Sequence, residues 1–318
     1  MLPMWVRDCS LALVVVAAAP GCRGRDELVL VEAASLARAL GEVSDAFVRD
    51  NPGVRVRADV GGSQVQARKV AELGLAADVV ALADAEVIER LLVPARASWV
   101  VQFATSSLVL AHLGHSRFTD EVTTENWPEV LTRPGVRVGL ADPDLAPIGY
   151  RTLLAWQLAA RRRGRPELEA ALAASVAPEH RVADEAALWA LLPTKAVDYV
   201  FLYRSTAEDH RLKITALADG ESLAKPELAA LYATASVPVR MRRDAPPVMV
   251  RGAPLWFGVT IPRDAPHPEL ARRWLRSLLS STADAPLLRA GLQPLRPARV
   301  VHAEALPREL ADLVEAAP

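Results

Sequence analysis

Two serines, one tyrosine and a short run of backbone amides carry most of the chemistry this sequence offers, and all of them donate hydrogen bonds. Ser35 and Ser63 each stand where a strand-like run gives way to a helix-like one, and residues 146–150 (Ala-Pro-Ile-Gly-Tyr) read as another helix start. Pro147 suits a first helical turn, where its missing N–H is no loss. The amides of Ile148, Gly149 and Tyr150 then lack helical partners, and with the helix dipole behind them they make a site for an anion. An ordinary loop capped by water fits the same pattern. Each serine taken singly is a helix cap.

Catalysis needs a nucleophile, a base and an orienting group, and the sequence does not assemble them. Ser35 and Ser63 lack the Gly-x-Ser-x-Gly setting of a hydrolase elbow. His112, His115, His180, His210, His267 and His302 show no metal spacing such as i, i+4 on a helix, and each reads as a surface or locally capped histidine. The two cysteines, Cys9 and Cys22, both lie near the N-terminus, so the rest of the chain has no disulfide, thiol nucleophile or cysteine-based metal site. The expectation is a binding protein, with no enzyme activity, no metal-ligating residue and no cofactor.

The elements that must position these groups alternate. Residues 28–31 form a short apolar strand; Leu36, Leu40, Val43 and Phe47 then recur on one face of an amphipathic helix capped by Ser35. Residues 54–60 alternate as a second strand, and Gly61-Gly62-Ser63 repeats the strand, turn, serine, helix device. Residues 78–82 are a third, buried strand, and Asp84 opens another helix. Strands alternating with helices predict an α/β fold with a parallel sheet. Ligands of such sheets bind beyond the carboxyl ends of the strands, so the two serines are expected to face one cleft. Further strands are read at 107–111, 136–140, 198–205 and 255–261, and helices at 167–175, 268–280 and 283–290. The strand at 198–205 ends in Tyr203-Arg204-Ser205, again polar groups at a carboxyl end, while 219–249 reads as irregular and proline-rich.

A chain of 318 residues, 51% hydrophobic and 24% charged, builds a substantial core. Its net charge of −1 and dispersed arginines give no groove for nucleic acid. Arg7 precedes the apolar run 11–19, which has the length of a signal-peptide core and is short for a bilayer span. Residues 1–22 therefore read as a signal peptide with a lipobox-like end, in which Cys22 would be lipidated and become the first residue of the mature protein. A plain secretory signal with an incidental cysteine fits as well.

Several stretches in this order resemble the archaeal-type tungstate/molybdate-binding proteins of ABC importers. They are residues 33–36, Gly62-Ser63 with Arg68-Lys69, 77–84, Asp142-Pro143 through Pro147-Ile148-Gly149-Tyr150-Arg151, 198–205 and 258–262. The resemblance implies a type II periplasmic-binding-protein fold: two α/β lobes closing over an oxyanion, with residues 26–104 and 250–318 in one lobe and 105–249 in the other. It implies ligand contacts from Ala34, Ser35, Gly62, Ser63, Pro147, Ile148, Gly149 and Tyr203. The implied partners are tungstate or molybdate, an ABC permease and, through a lipid anchor, the membrane. In that family two carboxylates coordinate the metal of the oxyanion; here Ala146 and Leu202 stand in their places. The hydroxyls and amides that remain suit a tetrahedral dianion held by hydrogen bonds alone. Asp142 and Asp144 read as loop acids, and Arg151 and Arg204 add charge or form interlobe or surface pairs. A second reading keeps the fold in a sensor or interaction lipoprotein whose ligand is sulfate, phosphate or none.

Overall fold

The computed structural model describes residues 26–317. The signal-like segment and Cys22 lie outside the described residues. The first strand, β1 (Asp26–Ala33), is buried on both faces from Leu28 onward, as a strand between parallel neighbours must be. It leads through a 3-10 turn (Ala34–Leu36) into α1 (Ala37–Asp50), and the chain continues as β2 (Val54–Gly61), α2 (Ser63–Ala71), β3 (Val79–Leu82), α3 (Ala85–Leu92) and β4 (Val100–Thr105). Ser35 is not the helix cap expected of it. It sits inside the 3-10 turn, which supplies its own bond from the Ala37 N–H to the Ala34 carbonyl, and no side chain caps either the turn or α1. Asp84 does cap α3, accepting from the Glu86 N–H at 2.9 Å.

The second sheet begins with β5 (Leu108–His112), followed by α4 (Trp127–Leu131), β6 (Val138–Ala141), α5 (Pro147–Arg162), α6 (Glu167–Ala174), β7 (Arg181–Val182), α7 (Glu185–Ala190), β8 (Tyr199–Tyr203), α8 (Arg204–Asp209) and β9 (Lys213–Ala216). Its strand order is β7-β6-β8-β5-β9, with β6 parallel to β7 and β8 and β5 antiparallel to β8 and β9. The strand expected at 198–205 stops at Tyr203, and Arg204 and Ser205 open α8 instead. His112 is buried in β5 between the Thr119 and Thr215 hydroxyls, at 2.9 and 3.2 Å, so it is a core histidine and not a surface one.

The proline-rich stretch is more ordered than its composition predicts. It folds as α9 (Asp219–Ser222), α10 (Ala229–Tyr232) and a hairpin of β10 (Ser236–Val239) with β11 (Val248–Arg251). Pro238 is tolerated because this sheet has two strands and both are edges. The chain then returns to the first sheet as β12 (Phe257–Thr260), α11 (Pro268–Leu279), α12 (Asp284–Arg289), β13 (Gln293–Val301) and β14 (Val314–Ala316). The final order is β14-β13-β4-β12-β3-β1-β2. β12 runs antiparallel to both β3 and β4, so the sheet is mixed where the alternation of elements predicted a parallel one. The molecule is thus a two-lobed α/β protein, its first sheet built from both ends of the described chain and its second from the middle.

Glu32 stands out in β1: it is 2% exposed, and Oε2 has no hydrogen-bond partner. Burial pushes its carboxyl up to about 8. The native state therefore holds this proton more tightly than the unfolded chain, whose glutamates titrate near ~4.3, and the associated stability is full below that value and lost as pH rises through the folded one. Glu32→Gln should match the parent near pH ~4 and exceed it by about 1–4 kcal/mol near pH ~8.5. Urea unfolding at the two pH values measures both differences.

Candidate functional site

The lobes meet over a small cavity. Ala33, Ala34, Ser35, Gly61, Gly62, Ser63 and Ala83 line it from the first lobe, and Ala146, Pro147, Ile148, Glu185 and Tyr203 from the second. The starts of α2 and α5 and the 3-10 turn ahead of α1 converge here, each following the carboxyl end of a strand. The first amides of a helix have no intrahelical acceptors, so three such starts aimed at one cavity give donors and positive dipole ends without a formal charge.

The two buried hydroxyls are oriented by their other partners. Ser63 Oγ accepts the Ala83 N–H at 3.1 Å, which leaves its own proton free to donate. Tyr203 Oη accepts from Arg151 Nη1 at 2.7 Å, and its proton is likewise left for the cavity. Burial pushes the Tyr203 hydroxyl up, which keeps it protonated as a donor. Gly62 permits the closeness of the lobes: a Cβ there would stand 2.7 Å from the Leu145 carbonyl oxygen.

Of the residues expected at the site, Ala34, Ser35, Gly62, Ser63, Pro147, Ile148 and Tyr203 are together in the cavity wall; Gly149 is not. Its N–H donates to the Ala146 carbonyl at 3.0 Å, and its missing side chain serves a close approach to β6, where a Cβ would lie 2.3 Å from the Ala141 oxygen. The two positions where the resemblance implies carboxylates, Ala146 and Leu202, also separate. Ala146 lines the cavity, but Leu202 does not: it is fully buried in β8, where its neighbour Tyr203, on the opposite side of the pleat, takes the cavity-facing position.

The lobes are locked by Arg151, which is 4% exposed. Its guanidinium pairs with Asp84 at 2.9 Å and donates to the Ala83 carbonyl at 2.8 Å as well as to Tyr203, and Tyr150 Oη donates to the same Asp84 carboxylate. Burial works against the Arg151 charge, but Asp84 and the two tyrosines outweigh it and its pKa is pushed up. Arg151 is therefore an interlobe pair and no free cation for a ligand. Further contacts close the rim: Gln64 Nε2 donates to the Pro143 carbonyl at 3.1 Å, and Arg68 donates to the carbonyls of Arg240 and Met241. Asp144 accepts from the Arg240 N–H at 2.6 Å, which gives this loop acid a structural role.

Glu185, the first residue of α7, is the group the sequence reading missed. It is 5% exposed and lines the cavity, with Oε1 accepting the Tyr203 N–H at 3.1 Å. Burial pushes its carboxyl up to about 7, against the opposing pull of the Thr206 hydroxyl, the Tyr203 N–H, the Ser35 hydroxyl and Arg151. A signal was present: β7, the Ala183-Asp184 turn and α7 repeat the strand, turn, helix device, with Asp184 capping through the Ala187 N–H at 2.9 Å. Among the described residues no cluster of three or more His, Cys, Asp or Glu side chains could hold a metal ion.

Two α/β lobes closed on a cavity of hydrogen-bond donors define a solute-binding protein. Residues 28–293 match the family model described as bacterial extracellular solute-binding protein, and the chain belongs to that family. An uncharacterized solute-binding protein of Petrotoga mobilis is 33% identical over 289 residues, covering 91% of this chain and 90% of that one. The molybdate/tungstate-binding protein WtpA of Pyrococcus abyssi is 29% identical over 310 residues, covering 86% and 88%. Among solved structures, the sulfate-binding protein SubI of Mycobacterium tuberculosis H37Rv superposes with a TM-score of 0.61 at 16% identity, covering 85% and 87%, which shows the shared fold. No helix among the described residues is long and apolar enough to cross a membrane.

Removing one member of a buried ion pair strands the other. Arg151→Met should therefore lose about 3–5 kcal/mol, and the double variant Asp84→Asn/Arg151→Met should recover part of that loss. Chemical denaturation of the parent, both single variants and the double variant gives the coupling between the two positions.

Proposed function

We propose that this protein captures a tetrahedral oxyanion for an ABC importer, with tungstate or molybdate as the solute. The observation that carries the reading is the orientation of the two buried hydroxyls: the acceptor sides of Ser63 and Tyr203 are occupied by protein donors, so both protons are left for a ligand. The helix starts at Ala34-Ser35, Gly62-Ser63 and Pro147-Ile148 add amide donors, and Ser35 adds a third hydroxyl. Neutral donors suit a desolvated dianion. The match to a relative named for molybdate and tungstate supports the same choice. On this reading the partner is an ABC permease, and the chain is held outside the cytoplasm by lipid on Cys22.

With Ala146 in the cavity wall and Leu202 outside it, neither place offers the metal a ligand, and bound molybdate or tungstate stays four-coordinate on this reading only where Glu185, the one carboxyl in the wall, keeps off the metal. Selectivity over sulfate then rests on anion size: donors set for the longer metal–oxygen bonds reach sulfate poorly, a loss of about 1–3 kcal/mol, or roughly 5- to 150-fold in affinity. Sulfate or phosphate as the true solute is the competing reading, and the absence of coordinating carboxylates at positions 146 and 202 favours it.

Calorimetric titration with molybdate, tungstate, sulfate and phosphate separates these readings, with molybdate and tungstate expected to bind tightest. Ser63→Ala should weaken that binding by roughly 5- to 150-fold through loss of one buried donor. X-ray absorption on the complex should show a four-coordinate metal; a six-coordinate one would overturn the hydrogen-bond-only mode.

A further inference from the structure

The face of the first sheet that α1 covers is filled unevenly. Leu40, Val43 and Phe47 pack into the core, whereas the stripe of α1 that overhangs the edge strand β2 is small or polar at Ala37, Gly41, Ser44 and Asp45. The strands beneath do not fill the gap, because the parallel register sets only Ala58 beside Leu30 and Val60 beside Glu32. What remains is a groove of about 300 Å³, walled by Leu30, Val48, Val56 and Val60, with the Glu32 carboxyl at its floor. It shares no residue with the interlobe cavity. A Cβ on Gly41 would meet nothing within 4 Å, so no neighbour demands the glycine, which is a poorer helix former than alanine.

The Glu32 side chain is 2% exposed, and its Oε2 has no hydrogen-bond partner. The cations of the surrounding elements are engaged elsewhere. Arg38 of α1 pairs with Glu42 and Asp209, Arg55 and Arg57 of β2 with Glu27, and Lys69 of α2 with Asp59, while β3 carries no titratable residue. Asp45, exposed on the same stripe of α1, adds a second carboxyl. Acids at an otherwise apolar groove repel anions, and a plain alkyl ligand would leave Oε2 unpaired. A bare metal ion is poorly served, since no cluster of three or more His, Cys, Asp or Glu side chains occurs among the described residues. We infer that the groove between α1 and β2 is a second ligand site, taking a small primary alkylammonium with its head on the Glu32 carboxylate and its apolar body against Val48, Val56 and Val60. The proton balance is simple: a carboxylic acid and an ammonium give an ion pair and one proton to solvent, and no covalent bond to the ligand forms or breaks. Burial alone holds the empty carboxyl up at about 8, with no cation or hydrogen bond to oppose it. Below that value the ammonium must displace a proton, so affinity rises with pH until the carboxyl has ionised, while alkylammonium groups stay charged to about pH 10.

The test is calorimetric titration of isopentylammonium chloride into the protein at pH ~6 and pH ~8.5, at fixed ionic strength and in two buffers of different ionisation heat. Isopentanol serves as the uncharged probe of the same shape, and potassium chloride as the bare cation. The ammonium should bind roughly 80-fold more tightly at the upper pH and release close to one proton per cation at the lower, with isopentanol and potassium much weaker at the upper pH. Glu32→Gln keeps the shape without the charge, so it should lose the pH dependence and most of the affinity at the upper pH. Gly41→Leu places a side chain in the groove and should abolish binding while unfolding at a higher urea concentration than the parent, because leucine is the better helix former. A loss of binding in a stabilised variant cannot come from misfolding. No binding of the ammonium, affinity flat with pH, isopentanol binding as tightly at the upper pH, or binding undiminished in either variant overturns the inference. None of these outcomes bears on the oxyanion reading, because no oxyanion is present in the titration.

Discussion

A guanidinium buried between two lobes sets the terms for everything around it. Arg151 comes from the second lobe, but two of its partners, the Asp84 carboxylate and the Ala83 carbonyl, belong to the first. A charge this far from water is tolerable only where each donor finds an acceptor, so the pairing fixes the relative position of the lobes as closely as a hydrogen bond requires. The Ala83 residue carries that constraint into the cavity: its carbonyl accepts from Arg151 while its N–H donates to Ser63 Oγ. Tyr203, held by the same guanidinium, receives it from the other side. The two hydroxyl donors, one from each lobe, are thus oriented by a single cation that does not itself line the cavity.

This arrangement separates charge from binding. The cation is neutralised by Asp84, and what reaches the cavity is a set of dipoles: hydroxyls and the first turns of helices. Such donors cost little to bury when empty compared with an unpaired charge, and they need not move when an anion enters. The one carboxyl in the wall is that of Glu185. Its burial and its bond to the Tyr203 N–H are inseparable from the packing of α7 against β8.

Much of this was legible in the sequence because it depends on local pattern. Strand, turn and serine repeat at Ser35 and at Ser63, and a register of that kind forces both side chains toward one end of the sheet. Pro147 marked the start of α5 for the same local reason. What could not be read depends on contacts made at long range. The insertion of β12 between β3 and β4 places residues from near the end of the chain in the middle of the first sheet, and no periodicity announces it. Gly149 suggested an amide open to a ligand, yet its requirement is steric, a close approach to the end of β6. Leu202 was assigned by motif position, whereas the pleat of β8 sends adjacent side chains to opposite faces and gives the cavity to Tyr203. Glu185 was overlooked because a glutamate opening a helix ordinarily stabilises the dipole in solvent, and its burial comes from α7 packing on the turn before α1.

Ala146 shows how one residue alters both the fold's stability and the site. It occupies the N-cap of α5, and no side chain there accepts a bond from the helix. An aspartate in that position would reach back to the first amides and stabilise the helix by about 1 kcal/mol, while placing a second carboxylate in the cavity. Alanine forgoes the cap, and since Pro147 has no N–H and the Gly149 N–H is held by the Ala146 carbonyl, Ile148 carries the leading amide of α5 at the cavity wall. An alanine here therefore forgoes both a helix cap and a carboxylate, and leaves the start of α5 bare at the cavity.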